Sequence, residues 1–317
     1  MISTSGSLDR SFVYLSALTP NLAPSLDLMR ETTLDAAFRE EDIARLKAQR
    51  LTAIAQGQKD PTKAGQRLLP SVLYGASHPY GGPPMGNPEA IKGFTRADFL
   101  AFRERWLRPD KARLFVVSDR PLAEIQPLLE ARFGTWTPPA AAKGVKSFTA
   151  LAPRPSAPRI LLVNRPGAPQ AGIVGAQLLP LQPKGDIIPL SSANDVLGSD
   201  FTARLNMNLR EDKGWSYGVN GSVSAVENAV QYVITAPVQA DRTGDSIAAL
   251  SQDVSDFLTT KGVTAAERDR VVANNIKQLP GQFETSGALL GAMLNIDLLD
   301  RPDDYYETLE GRYRALT

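Results

Sequence analysis

The stretch from Asn194 to Ser222, NDVLGSDFTARLNMNLREDKGWSYGVNGS, constrains this chain more than any other. Its apolar period changes partway along. Phe201, Leu205 and Leu209 recur at helical spacing, and Asp200 stands where a helix cap belongs. Gly214 breaks the period, and Trp215, Tyr217 and Val219 then alternate as strand residues do. The pattern predicts a helix from Phe201 to about Glu211, a tight turn and a strand. Arg210 and Tyr217 fall on opposite sides of that turn, seven positions apart. One brings a permanent cation and the other a hydroxyl donor. Two such donors converging on one point suit a peptide carbonyl and the oxyanion formed when it is attacked. The plainer alternative is also physical: an arginine at a helix end complements the dipole, and a tyrosine on a strand packs. Trp215 shares the strand face of Tyr217 and reads as a substrate contact near the site.

The residue inventory excludes most other chemistry. Cysteine is absent, which removes disulfides, thiol nucleophiles and cysteine metal sites. Histidine occurs once, at His78, whereas a catalytic zinc usually takes two or three. His78 precedes Pro79 in the Gly/Pro-rich run SHPYGGPPMGNPEAI, with no carboxylate before Glu89. It reads as a turn residue bonded to its own loop. GGPPMG and RPGAPQAG lack a following Gly-Lys-Ser/Thr, and their prolines remove amide donors, so neither is a phosphate loop. A net charge of +1 without a Lys/Arg-rich run gives no reason to expect a nucleic-acid partner. No apolar stretch approaches the ~20 residues of a membrane span. MISTSGSLDRSF has no basic and apolar signal pattern.

At 317 residues the chain has room for two domains of ordinary size. Residues 9–18 read as a strand, followed by helices from Pro20, from Phe38 (with Ile43, Leu46 and Ile54 on its stripe) and from Pro61 to Leu73. Thr95 caps a helix, RLFVVS (113–118) reads as a buried strand, and Gly134 closes the helix after it. Opening so near a strand, this unit is expected to lack its own beginning. Five prolines and six alanines in residues 137–158 mark an extended linker. RILLVN (159–164) and AGIVGAQLL (171–179) read as strands, and PLSSANDVLG as a helix closed by Gly198. AVQYVITAPV (229–238) turns back at Asn228 as the hairpin partner of 215–224. Asp241 and Thr264 stand as caps, Thr264 with Glu267 completing a capping box. Apolar residues 289–299 and a segment from Asp303 to Leu316 read as the last helices. The expected division is a first domain at 1–138, a linker at 139–158 and a second domain at 159–317. The class is α+β, with mostly antiparallel sheets packed against helices.

LNMNLREDKGWSYGV resembles the Arg–Tyr segment of the pitrilysin/insulinase family of zinc metallopeptidases, the inverzincins. Arg210, Glu211, Gly214 and Tyr217 fit that pattern position by position, and the wording is closest to the second half of large bacterial members. The run from His78 to Ser118 is a second, less specific likeness. The family's His-x-x-Glu-His helix occurs nowhere in the chain. Its downstream glutamate would fall near Leu51–Gln58, where Ala53 and Gln56 stand. The resemblance therefore implies two pitrilysin-type domains, the first incomplete at its N-terminus and inactive. It implies a non-catalytic C-terminal half that binds no zinc and has no activity alone. Zinc would sit in a partner half or subunit. Peptide would be held between the two, with Arg210 and Tyr217 on its carbonyl. It also implies export to a periplasm. A scaffold or assembly protein of the same fold, with no peptidase role, is the alternative.

Overall fold

In the computed structural model, which describes residues 1–148 and 157–317, the chain opens with an antiparallel hairpin. Its strands are β1 (Ile2–Gly6) and β2 (Ser11–Leu15), with Ile2 opposite Leu15. Then come α1 (Leu22–Leu34), α2 (Glu40–Gly57), α3 (Pro61–Tyr74), α4 (Pro88–Gly93), α5 (Arg96–Trp106) and α6 (Leu122–Phe133). Local chemistry sets their starts. The Asp60 carboxylate accepts the Lys63 N–H at 3.0 Å ahead of Pro61, and Thr95 and Asp98 form a capping box. α2 buries Ile43 and Ile54, but Leu46 of the expected stripe is exposed.

The C-terminal part is built on β3 (Gln170–Leu179), α7 (Ile188–Asn194), α8 (Arg204–Asn206), β4 (Asn220–Val226) and β5 (Ala229–Gln239). α9 (Thr243–Thr259), α10 (Ala265–Gln278), α11 (Ser286–Leu299) and α12 (Leu309–Arg314) complete it. The sheet is antiparallel in the order β3-β5-β4, and β4 turns into β5 at Glu227–Asn228 with Val226 opposite Ala229. Leu197, Leu205, Leu209, Val219, Val238 and Leu250 form its core between sheet and helices. The architecture is α+β, as expected. No helix among the described residues is long and apolar enough to cross a membrane.

Several expected elements differ. Residues 113–118 and 159–164 form no strand. Leu114 and Val116 are exposed, and so is every apolar side chain from Ile160 to Val163. A β-rich run becomes a strand only where another backbone completes its ladder, and neither segment has one among the described residues. Asp200 does not cap a helix from Phe201. Ala203 is the cap, α8 starts at Arg204, and Asp200 pairs with Arg270 at 3.0 Å. Gly198 does not close its helix, which continues as a π-helical turn through Ser199. Residues 215–219 lie outside β4, tied to β5 by one bridge, Ser216 to Val238. Asp241 sits in a 3-10 turn, and Arg242 occupies the cap of α9. Only Leu309–Arg314 of the last expected helix is helical. Within the expected linker, residues 149–156 lie outside the described residues.

The two parts meet along α3 and β3. Gly172 makes the approach possible: a Cβ there would lie 2.6 Å from the Thr62 nitrogen and 2.7 Å from its Cα. Gly175, on the same strand, has open space. Gly172→Ala should destabilise the protein by about 1–3 kcal/mol, the usual range for overpacking against backbone. Gly175→Ala should be close to neutral. Urea midpoints of both variants check this, and equal midpoints would show that the contact is loose.

A second junction is aromatic. Tyr74, His78, Tyr80 and Phe148 cluster with ring centroids 5.3–6.3 Å apart, and Tyr74, Tyr80 and Phe148 pack on Leu178, Val226 and Ala229 of the sheet. Polar bonds flank the cluster. Tyr74 donates to Gln231 at 3.1 Å and Tyr80 to Asp9 at 2.7 Å, while Lys146 pairs with both Asp9 and Glu227. Burial raises the Tyr74 hydroxyl to about 12, so it stays a neutral donor. His78 is the turn residue expected. It is buried, its Nδ1 accepts the Tyr80 N–H at 3.0 Å, and it caps the short turn at Pro79–Gly81.

Candidate functional site

The Arg–Tyr turn is built by side chains that lock its backbone. Leu205 and Leu209 are fully buried and anchor α8 and the π-helical turn Met207–Asp212 that comes after it. A π-turn widens the hydrogen-bond ring, here from Lys213 N–H to the Asn208 carbonyl at 3.0 Å, and such turns recur at functional sites. Arg210 sits within it. Gly214 takes φ +64°, which lets the chain double back. The N–H groups of Trp215 and Ser216 then reach the Leu209 carbonyl at 2.9 and 3.3 Å. The turn therefore closes onto the residue beside Arg210.

Two small polar side chains hold the segment beyond Trp215. The Ser216 hydroxyl accepts the Gly218 N–H at 3.1 Å and lies 2.5 Å from the Pro237 carbonyl on β5. Asn206, buried in the core, uses both ends of its amide. Its Nδ2 donates to the Phe201 carbonyl at 2.6 Å, and its Oδ1 accepts the Val219 N–H at 3.0 Å. Tyr217 lies between these anchors, with 86% of its surface exposed. Backbone held this tightly presents a side chain to solvent without letting the loop drift.

Arg210 also reaches solvent. Its guanidinium carbon is 4.6 Å from the centre of the Phe201 ring. Its Nε pairs with Glu211 at 3.1 Å. Among the described residues these are its partners, which leaves the two terminal nitrogens for another group. Glu211 is thus taken up by its neighbour, which is not the arrangement of a free general base. Trp215 is half-buried, with the Lys213 ammonium 5.1 Å and the Arg242 guanidinium 5.9 Å from its ring. Cations, not open space, occupy its faces.

A neighbouring ion pair braces the segment from behind. Arg204 bonds both oxygens of Glu267, at 2.8 and 2.6 Å, and donates to the carbonyls of Gly262 and Lys261. That guanidinium, with the Thr264 N–H and hydroxyl, holds the Glu267 carboxyl down at about 2. Asn208 donates to Asp253 at 2.6 Å, and burial raises that carboxyl. Sequence reasoning missed Arg204, whose partner Glu267 lies 63 positions away. It also placed Phe201 on one helical face with Leu205 and Leu209, whereas Phe201 precedes the helix and is 61% exposed.

No group of three His, Cys, Asp or Glu residues that could hold a metal occurs among the described residues. Ala53, half-buried on α2, offers no ligand atom where the resemblance places the family's downstream glutamate.

Residues 93–275 match the family model described as "Peptidase M16 inactive domain". An uncharacterized zinc protease of Mycobacterium bovis is 24% identical over 260 residues, covering 80% of this chain and 57% of that protein. The chain thus spans little more than half the length of that relative. The fold of the M16 inactive domain from Pseudomonas fluorescens superimposes with a TM-score of 0.85 at 20% identity, over all of this chain and 74% of that one. The periplasmic protease PqqL of Escherichia coli superimposes with a TM-score of 0.74 at 17% identity, over all of this chain and 34% of that one.

Proposed function

The chain belongs to the peptidase M16 inactive-domain family, and we propose that it is the non-catalytic half of a zinc metallopeptidase, closing over peptide opposite a zinc-bearing half. The observation that carries this reading is the Arg210–Tyr217 turn. It is a rigid loop that sends one half-free guanidinium and one phenol into solvent. A scaffold has no use for such groups held in water on a braced turn.

The chemistry comes from the donors. A peptide carbonyl attacked by water passes through an oxyanion. Donors already in place stabilise it more than the ground-state carbonyl, which is what lowers a barrier. Arg210 supplies charge and Tyr217 a hydroxyl, while zinc, which would activate the attacking water, would be held by the partner half. β4 is one edge of its sheet among the described residues, so its backbone can add a substrate strand while the two donors fix the register. Trp215, pinned by Lys213 and Arg242, then serves to stiffen the turn and border the substrate. The division expected from sequence fits this role, with residues 159–317 carrying the donors and 1–138 supporting them. The periplasm is the proposed compartment.

Reassembly tests the proposal. The chain is mixed with a separately purified zinc-bearing half, and cleavage of an unstructured fluorogenic peptide is monitored. Neither part alone should turn over, and the mixture should, with zinc content tracking the partner. A zinc-bearing half whose activity is indifferent to this chain would favour the scaffold alternative.

A further inference from the structure

We propose that Phe201 is a positioning residue for Arg210, a platform that sets where the guanidinium meets its ligand. This rests on the peptide-binding role proposed for Arg210.

Phe201 has the wrong surroundings for a core residue. The residue is 61% exposed, in a chain whose neighbouring Leu205 and Leu209 are fully buried. Its backbone, by contrast, is held on both sides. Asp200 pairs with Arg270 at 3.0 Å, and the Asp200 carbonyl accepts the Ala203 N–H at 3.0 Å. The Phe201 carbonyl accepts from Asn206 at 2.6 Å. A large apolar ring held in water by a locked backbone calls for a partner, and the Arg210 guanidinium 4.6 Å away is that partner.

The geometry divides the guanidinium into used and free parts. The Phe201 ring lies against the guanidinium carbon at 4.6 Å, and Glu211 takes Nε. The terminal nitrogens are left to a carbonyl oxygen. An unsupported arginine samples many rotamers and must lose that freedom on binding. Stacking removes part of that cost before substrate arrives, so the gain appears where the oxyanion forms. The same Asn206 amide that holds Phe201 also holds Val219, two residues past Tyr217. Platform and phenol are therefore referenced to one buried side chain.

Two measurements test this. On the chain alone, NMR of the arginine Nε–H groups should show a ring-current shift for Arg210 that disappears in Phe201→Leu and survives in Phe201→Tyr. In the reassembled peptidase, Phe201→Leu should lower kcat about three- to fivefold, the size of a cation–π contact at an exposed site, with KM little changed. Phe201→Tyr should restore most of it. In an Arg210→Ala background Phe201→Leu should do nothing more. Absence of the NMR shift overturns the proposal, whatever the kinetics. So does an equal loss with and without Arg210, which would make Phe201 an independent contact. A shift that is present in a chain on which no activity depends sinks the peptidase reading and the positioning role with it, but leaves the stack itself standing. That separates the two failures.

Discussion

Arg210→Ala should lower kcat/KM of the proposed reassembled peptidase by about 10²–10³-fold, the loss seen when one preorganised oxyanion donor is removed. The figure belongs at the upper end here because the guanidinium is charged and its terminal nitrogens have no other task. Arg210→Lys recovers little, since an ammonium cannot present the same planar edge or stack on Phe201 in the same way. Tyr217→Phe removes a neutral donor and should cost less, about tenfold, mostly in kcat. Folding should be untouched in all three, because both side chains reach solvent. Steady-state kinetics on the mixed halves, with circular dichroism as a control, checks the set. Arg210→Ala with wild-type kcat/KM would remove this side chain from the chemistry.

The second large effect is on stability and depends on pH. Glu267 titrates near 2 in the folded chain against an ordinary 4.5, because Arg204 and Thr264 bond its carboxylate. Its folded pKa is depressed. The stabilisation is therefore complete above the unfolded value of about 4.5, and it drains away as pH falls towards 2. Discounted for the pair's partial exposure, the contribution is about 2 kcal/mol. Arg204→Gln should lower unfolding free energy by about 2–3 kcal/mol at pH 7, since the carbonyls of Lys261 and Gly262 also lose their donor. The gap between wild type and variant should narrow markedly by pH 3. Urea titrations of both proteins at the two pH values measure it. A gap that stays constant would mean that Arg204 acts through packing on Phe257, 5.2 Å away, and not through charge.

Residues alone made legible whatever depends on near neighbours. The Thr264–Glu267 and Thr95–Asp98 capping boxes span three positions each. The turns at Gly214 and Glu227–Asn228 are local too. His78 as a loop residue came from having nothing nearby to work with. The Arg–Tyr turn was visible for the same reason, since Gly214 and its flanking periods lie within one short stretch.

The misses share an opposite cause. Phe201 carries the right spacing for a helix stripe, but the chain starts its helix three residues later, once Ala203 has turned onto Asp200. Spacing cannot tell a stripe residue from one just outside the helix. RLFVVS and RILLVN have strand composition, yet a ladder needs a second backbone, which composition does not contain. Arg204 was passed over because its carboxylate partner lies 63 positions away. The fit of Gly172 against Thr62 is likewise a long-range fact written in a residue with no side chain.

The seam between the two parts has a mechanical corollary. Backbone pressed on backbone at Gly172 and rings interleaved around His78 leave little room for one part to swing against the other. If the proposed peptidase opens and shuts, the joint would lie elsewhere, between this chain and the proposed zinc-bearing half. This chain would then travel as a single lever, carrying Arg210 and Tyr217 towards the proposed substrate by rotation of the whole body.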